Sequence, residues 1–353
     1  MIFRFRFLFL ALIVSLFASC FKKDDSIVLQ APGNVEVDQV AMGPDYLNQI
    51  YYQLSTNETF MSDHRSWDLA FETSANGYHI WVNGSNQIFV NNTNSSNFDN
   101  ITDTVGSNWL MDASSWNKDS TAIGEWINSN PVVDPSVPKD DLFNSSPSRI
   151  EEMVTSTRVY LIDLGPDMLA AERYKKIVFE SFDQHQYTFK YANLNNSDFH
   201  EITIQKETDY AYTYFSIRNG NQVVYPEPIK PKWDILFTRY RTILFSGGIT
   251  LPYIVTGVLI NPDGYSVAMD TSVSFNDMDY NYAKNLIYKS NRDAIGFDWK
   301  HINYQSASAT YVVDPTKIYL IKDKLGYYWK LHFIGFYNDQ GVKGYPQFEF
   351  QRL

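Results

Sequence analysis

Two stretches of this chain, 166 residues apart, share one pattern: Ser66-Trp67-Asp68-Leu69-Ala70-Phe71-Glu72 and Lys232-Trp233-Asp234-Ile235-Leu236-Phe237-Thr238. A Tyr-rich, strand-like segment precedes each, Gln49 to Ser55 in one case and Ala211 to Ile217 in the other. Further on, Arg158-Val159-Tyr160-Leu161-Ile162 is matched by Lys317-Ile318-Tyr319-Leu320-Ile321, and Tyr174–Phe182 by Tyr328–Phe336. Both units close on an aromatic strand, Tyr187–Tyr191 and Gln347–Gln351. The spacing drifts from 166 to 159 to 154 residues, as it does when copies keep their elements and vary their linkers. Matched elements in one order mark a duplicated fold unit, so whatever one copy folds into, the chain must build twice.

The alternation of period two in these segments points to half-buried antiparallel strands, separated by turn signals such as Asn219-Gly220, Asn338-Asp339 and Pro262-Asp263-Gly264. Helical periodicity is scarce, its best stretches being Met168–Lys176, which overlaps a strand start, and Asp277–Lys289. The expected fold class is all-β, mostly antiparallel sheets with a few short helices. It divides into two tandem β-rich domains, 31–196 and 197–353, joined near Asn193–Ser197. Residues 91–156, rich in Asn, Ser, Asp and Pro, read as largely long loop. With 24 Phe, 25 Tyr and 8 Trp, aromatic packing supplies the cohesion.

The single cysteine, Cys20, follows the apolar run Phe7–Phe17 and the small pair Ala18-Ser19, with Arg4 and Arg6 ahead of it. That is the layout of a lipoprotein export signal, residues 1–19, cut immediately before a thiol that takes up acyl chains. Residues 20–30 then form a lipidated tether to a membrane. No second cysteine exists to make a disulfide.

Without Arg4 and Arg6, 27 basic side chains stand against 40 acidic ones, a formal charge of −13. Nucleic acid is excluded as a partner, because displacing counterions from a polyanion needs a basic stripe and here Lys and Arg are scattered. The chain carries no phosphate-cradling glycine loop, no zinc-protease helix motif, no Cys-x-x-Cys-His and no Gly-x-Ser-x-Gly. Acids such as Glu151, Glu152, Asp277 and Asp279 read as solvated loop residues rather than a catalytic pair, so the chain is expected not to be an enzyme.

The cysteine-terminated leader, the Trp-Asp strands, the Val/Ile-Tyr-Leu-Ile strands and the closing Tyr-x-Lys hairpin resemble the HmuY family of Bacteroidetes surface lipoproteins, here in tandem. The fuller match is in the second unit, through Trp233, Asp234, Tyr319, Lys330, Phe333, Tyr337 and Gly344–Phe350. Lys22-Lys23-Asp24-Asp25 likewise resembles the signal that sends such lipoproteins to the exterior of the outer membrane. The resemblance implies non-covalent capture of haem between loops, with two axial side chains drawn from His or Met. It also implies transfer to a TonB-dependent outer-membrane receptor. In the family's ligand interval the second unit offers Met269, Met278, His301 and Tyr304. Met278 with His301 is the favoured pair, and Tyr304 lies nearer than His301 to the usual second-ligand position counted from Trp299. The first unit offers His79, Met111 and Met153, none in a recognisable local pattern. The Trp67-Asp68 and Trp233-Asp234 pairs are expected to be structural, as are His64, His185 and His332.

Two other readings remain open on sequence. One is a ligand-free interaction module that docks through the aromatic stretch Tyr240–Tyr253. The other is a glycan or peptide binder using Trp81, Trp109, Trp116 and Trp126.

Overall fold

The computed structural model describes residues 32–75, 77–116, 158–246, 249–304 and 310–353. The stretches expected to form an export signal, 1–19, and a lipidated tether, 20–30, lie outside the described residues, as do Trp126, Glu151, Glu152 and Met153. Residues Gly33–Leu353 form one compact unit.

Each repeat consists of a three-strand leader and a longer body. The first leader is β1 (Glu36–Gln39), β2 (Asn48–Gln53) and β3 (Glu58–Asp63). Its body is β4 (Leu69–Glu72), β5 (Ile80–Val82), β6 (Phe89–Asn92), β7 (Tyr160–Asp163), β8 (Tyr174–Phe182) and β9 (Gln186–Asn193). The second leader is β10 (His200–Gln205), β11 (Tyr212–Ser216) and β12 (Gln222–Val224). The second body runs β13 (Ile235–Ser246), β14 (Ile249–Ile260), β15 (Ser266–Asp270), α1 (Tyr280–Ala283), β16 (Lys300–Asn303), β17 (Thr310–Val313), β18 (Ile318–Lys322), β19 (Tyr328–Tyr337) and β20 (Lys343–Arg352). The class is all-β and every ladder is antiparallel.

The leaders are exchanged. Strand β2 of the first repeat pairs with β13 of the second, Tyr52 opposite Ile235, while β11 of the second repeat pairs with β4 of the first, Phe215 opposite Leu69. Four sheets result, in the orders β1-β20-β19-β18-β15, β14-β13-β2-β3, β12-β11-β4-β5 and β10-β9-β8-β7-β6, together with the small hairpin β16-β17. The repeat starts anew near residue 197, but hydrogen bonding cuts the chain elsewhere. Strands β4 to β12, within 66–225, form one sandwich, and β1 to β3 together with β13 to β20 form the other.

Alternation explains how the inner strands β2 and β4 come to be buried on both faces. From β2, Ile50, Tyr52 and the following Leu54 enter a core with Phe237, Phe333, Phe348 and Phe350. Tyr51 points the opposite way and meets the Trp233 indole edge-on at 4.9 Å. In the other sandwich Leu69 and Phe71 pack with Phe189 and Phe215, while Ala70 turns outward to Trp67, Trp81 and Tyr214.

Two helical expectations give way. Met168–Arg173 is a turn region and Tyr174–Lys176 already belong to β8, because Ile177-Val178 and their alternating neighbours favour a strand. Asp277–Lys289 contains only the single turn α1, capped by the Asp279 carboxylate accepting the Tyr282 N–H at 2.8 Å. Its Asn-rich continuation, Asn281 to Asn291, disfavours further helix.

Candidate ligand-binding cleft

Strands β13 and β14 pair along their whole length, Ile235 opposite Ile260 to Ser246 opposite Ile249, yet β2 borders only Ile235–Phe237. Beyond Phe237 the hairpin therefore continues as a two-stranded arm. Facing part of it is the short hairpin β16-β17, and between them opens a cleft of about 530 Å³, within the range of small-molecule sites, roughly 300–1,000 Å³. Its walls are aromatic and aliphatic: Tyr46, Tyr253, Phe297, Tyr311, Val255 and Ile302. Its polar groups are Arg239, Asp298, Lys300 and His301.

Lys300 is the unusual member. Its stem is buried and its ammonium donates to the Thr256 carbonyl while lying 4.2 Å from the Trp299 ring centroid. Loss of water pushes its pKa down to about 7, with Asp298 pulling weakly in the other direction. Around neutral pH the cleft therefore carries the fixed cation Arg239 and a lysine near its titration midpoint.

Of the expected ligands, the structure brings His301 to the cleft and leaves the others elsewhere. Met278 is 1% exposed, packed with Ala268, Phe275, Ile318 and Leu320, and its carbonyl accepts from Lys330 Nζ at 3.1 Å. It does not share a cavity with His301, because an apolar side chain behind a buried lysine clamp belongs to the core. Tyr304 is 78% exposed just past β16 and does not line the cleft. Met269 is half exposed on β15. In the first repeat His79 is buried against Glu72, Nδ1 to Oε2 2.7 Å, and Met111 is half-buried. His64 and His332 are held by Ser85 and Glu349 respectively.

Sequence reading missed Arg239, Lys300, Tyr253, Phe297 and Tyr311. The one local signal was Asp298-Trp299-Lys300-His301, a lysine directly after a Trp inside a short alternating segment. Of the tryptophans proposed for glycan binding, Trp81 and Trp116 are used for packing: Trp81 is buried, and Trp116 stacks on it at 5.1 Å with Arg292 above its ring.

The Trp-Asp pairs serve the leader exchange. Asp68 Oδ2 accepts the Ile217 N–H at 2.8 Å and Asp234 Oδ2 accepts the Leu54 N–H at 2.6 Å, equivalent positions where the other repeat's Tyr-rich strand leaves the sheet. Asp68 also pairs with Arg218, and Asp234 accepts from Tyr265. Asn83 and Asn261 complete the motif, each donating its side-chain amide to the carbonyl of its Trp, Trp67 and Trp233. A second cleft, of about 470 Å³, is lined by Asp209, Asp234, Asp263 and Asp323 against Lys230, Lys324 and Arg352. That carboxylate-rich wall disfavours an anionic ligand.

A family model described as HmuY protein matches this chain twice, over residues 45–210 and 207–350. Among solved structures, apo PinO from Porphyromonas gingivitis is 11% identical, covering 91% of this chain and 97% of that one at a TM-score of 0.27. The apo HmuY analog of Tannerella forsythia is 14% identical, covering 47% of this chain and 88% of its own at a TM-score of 0.23. No curated protein matches. With one family model spanning both repeats, the chain belongs to the HmuY family and carries two of its units in tandem.

Proposed function

We propose that this protein captures haem, or a similarly flat apolar ligand with anionic edges, without catalysis, in the cleft between the β13-β14 arm and the β16-β17 hairpin. One observation carries the reading: aromatic walls, an exposed imidazole at His301 and the cations Arg239 and Lys300 converge on one opening. The walls suit the macrocycle, the cations suit carboxylate side groups, and the imidazole offers a nitrogen donor to iron. On this reading the protein is held at Cys20 by lipid on the outer membrane, facing outward, and passes its cargo to a membrane receptor.

Haem titration of the purified full chain tests the cleft. A red-shifted Soret band saturating near one haem per chain is expected, with His301→Ala weakening binding about tenfold or more. Tyr304→Phe is expected to leave the spectrum unchanged. A spectrum that stays that of free haem at micromolar protein overturns the proposal. For the anchor, Cys20→Ala is expected to move the protein out of the membrane fraction, and retention there refutes lipidation.

The projecting arm favours one other reading. Leu251 and Tyr253 are about half exposed on it, an apolar edge suited to docking on a membrane partner. Cross-linked recovery of that partner from haem-free cells, lost on Leu251→Ser with Tyr253→Ser, would support docking that does not depend on cargo.

A further inference from the structure

The cleft wall that carries Phe297 and Asp298 belongs to the connection between α1 and β16, and that connection is fastened in two places. On its own side it is bonded to β14. The Ile260 N–H donates to the Arg292 carbonyl at 2.8 Å, and Val258 and Gly296 exchange both backbone hydrogen bonds, at 2.8 and 3.0 Å. These bonds fall opposite Ile235 and Phe237, the stretch of β13 that β2 supports. Gly296, at φ +74°, then turns the chain, and Phe297 and Asp298 follow directly as wall.

The second fastening comes from the other sandwich. Ser114 Oγ donates to Asp293 Oδ2 at 2.6 Å, and the Arg292 guanidinium lies 3.7 Å from the centroid of the Trp116 ring. Ser114 and Arg292 are both buried. The Arg292 charge is offset by the field of the buried Glu227 carboxylate. Trp116 is itself fixed by β5 and β11, stacking on Trp81 at 5.1 Å and meeting Tyr212 edge-on at 4.8 Å. Its backbone sits at φ +46°, in the left-handed region that bulky side chains avoid. Such a conformation persists where the surroundings over-determine it, and this one brings the ring against both Trp81 and Arg292.

None of Ser114, Trp116, Arg292 and Asp293 lines the cleft. Whatever they do for a ligand, they do through the wall that follows them in the chain.

We infer that Ser114 and Trp116 of the first repeat are positioning residues for the cleft of the second, bracing the 292–298 connection so that Phe297 and Asp298 stand at a fixed width from the β13-β14 arm. The inference rests on the haem reading of that cleft, and it gives the first sandwich a part in a site it does not line. By linkage, a ligand seated against the wall strengthens the brace by the factor by which the brace strengthens binding.

Haem titration of full-chain variants tests this. Ser114→Ala is expected to weaken haem binding about threefold to tenfold, through a faster off-rate, and to leave the Soret maximum of the bound form in place because His301 is untouched. Asp293→Asn keeps an acceptor for the hydroxyl and is expected to bind as the wild type does. Asp293→Ala is expected to match Ser114→Ala, and the double alanine variant to bind no more weakly than either. A contact that is merely structural would lower the melting temperature of the alanine variants and leave haem affinity unmoved. That result overturns the inference, as does a double variant whose losses add. Should the wild type leave haem free, the haem reading falls, and hydrogen exchange decides the brace. The Val258 and Gly296 amides are expected to exchange about threefold faster in Ser114→Ala than in the wild type, both without haem, and equal rates overturn the brace.

Discussion

At the scale of single residues, the fold rests on polar groups buried with particular partners. Asp68 and Asp234 look alike in sequence, but Asp68 also compensates the guanidinium of Arg218 whereas Asp234 is shared with a tyrosine hydroxyl. Removing a partner from a buried ion pair costs about 3–5 kcal/mol, against about 1–3 kcal/mol for each orphaned neutral group. Asp68→Ala is therefore expected to destabilise more than Asp234→Ala in urea unfolding, and the reverse order would refute the ion-pair account. The buried lysines Lys176 and Lys330 are a second repeated pair: each donates to loop carbonyls, that of Ile101 in one repeat and those of Phe275 and Met278 in the other. Burial raises the Glu227 carboxyl from 4.5 to about 7, so the folded state holds its proton more tightly than the unfolded chain. Its stabilisation is present below pH 4.5 and is lost as pH rises through 7. The His64 shift works in the opposite direction, its cost growing as pH falls through 6.5 toward 4. Stability of the wild type minus that of Glu227→Gln, measured by denaturant titration, is expected to shrink from pH 4.5 to 7, and a constant difference would count against this assignment.

At the scale of elements, the exchanged leaders decide which parts fold together. Strand β2 supplies Ile50 and Tyr52 to a core otherwise made by 230–353, and β1 borders β20, Val37 opposite Glu349. Deleting 33–63 would bare the edge of β13 and the faces of Phe348 and Phe350, leaving both a vacant core and an unpaired sheet edge. Calorimetry of that deletion is expected to retain the cooperative transition of 66–225 and to lose that of 230–353. Loss of both, or of neither, would mean that the leaders are not the organising elements. The β13-β14 arm is the second decisive element. It outruns its neighbour β2 and so creates a wall of the cleft, and the free alternation of its outer residues leaves Tyr253 facing solvent.

At the scale of the whole molecule, duplication and packing use different boundaries. The family units end near residue 210, while the sandwiches separate between 63 and 66 and between 225 and 230. A fragment spanning 64–229 is expected to be soluble with a single cooperative melt. Fragments cut at 45–210 or 207–350 are expected to aggregate or to associate with each other, and independent folding of both would overturn the exchange. The strands, their faces and the doubling were legible in the sequence because alternation and the recurring Trp-Asp and Tyr-Leu-Ile patterns are local consequences of burying one face of a strand. The partner of each strand was not legible. Tyr51-Tyr52 and Tyr212–Tyr214 carry the same alternation, so either can complete either sheet, and only the linkers 64–68 and 226–234 with the clamps at Asp68 and Asp234 select the exchanged pairing. The cleft was hidden for the same reason. Tyr46, the hairpin pair Arg239 and Tyr253, and the group Phe297, Lys300 and Tyr311 lie far from one another along the chain and meet only once β13 overshoots β2, a matter of strand length against a neighbour that sequence periodicity does not encode. What the sequence by itself determined is that this chain folds twice into antiparallel sheets with aromatic cores. Tertiary structure decided which copy completes which sheet, that Met278 belongs to the core, and that His301 stands at a cleft, because each depends on contacts between strands that are distant in the chain and alike in pattern.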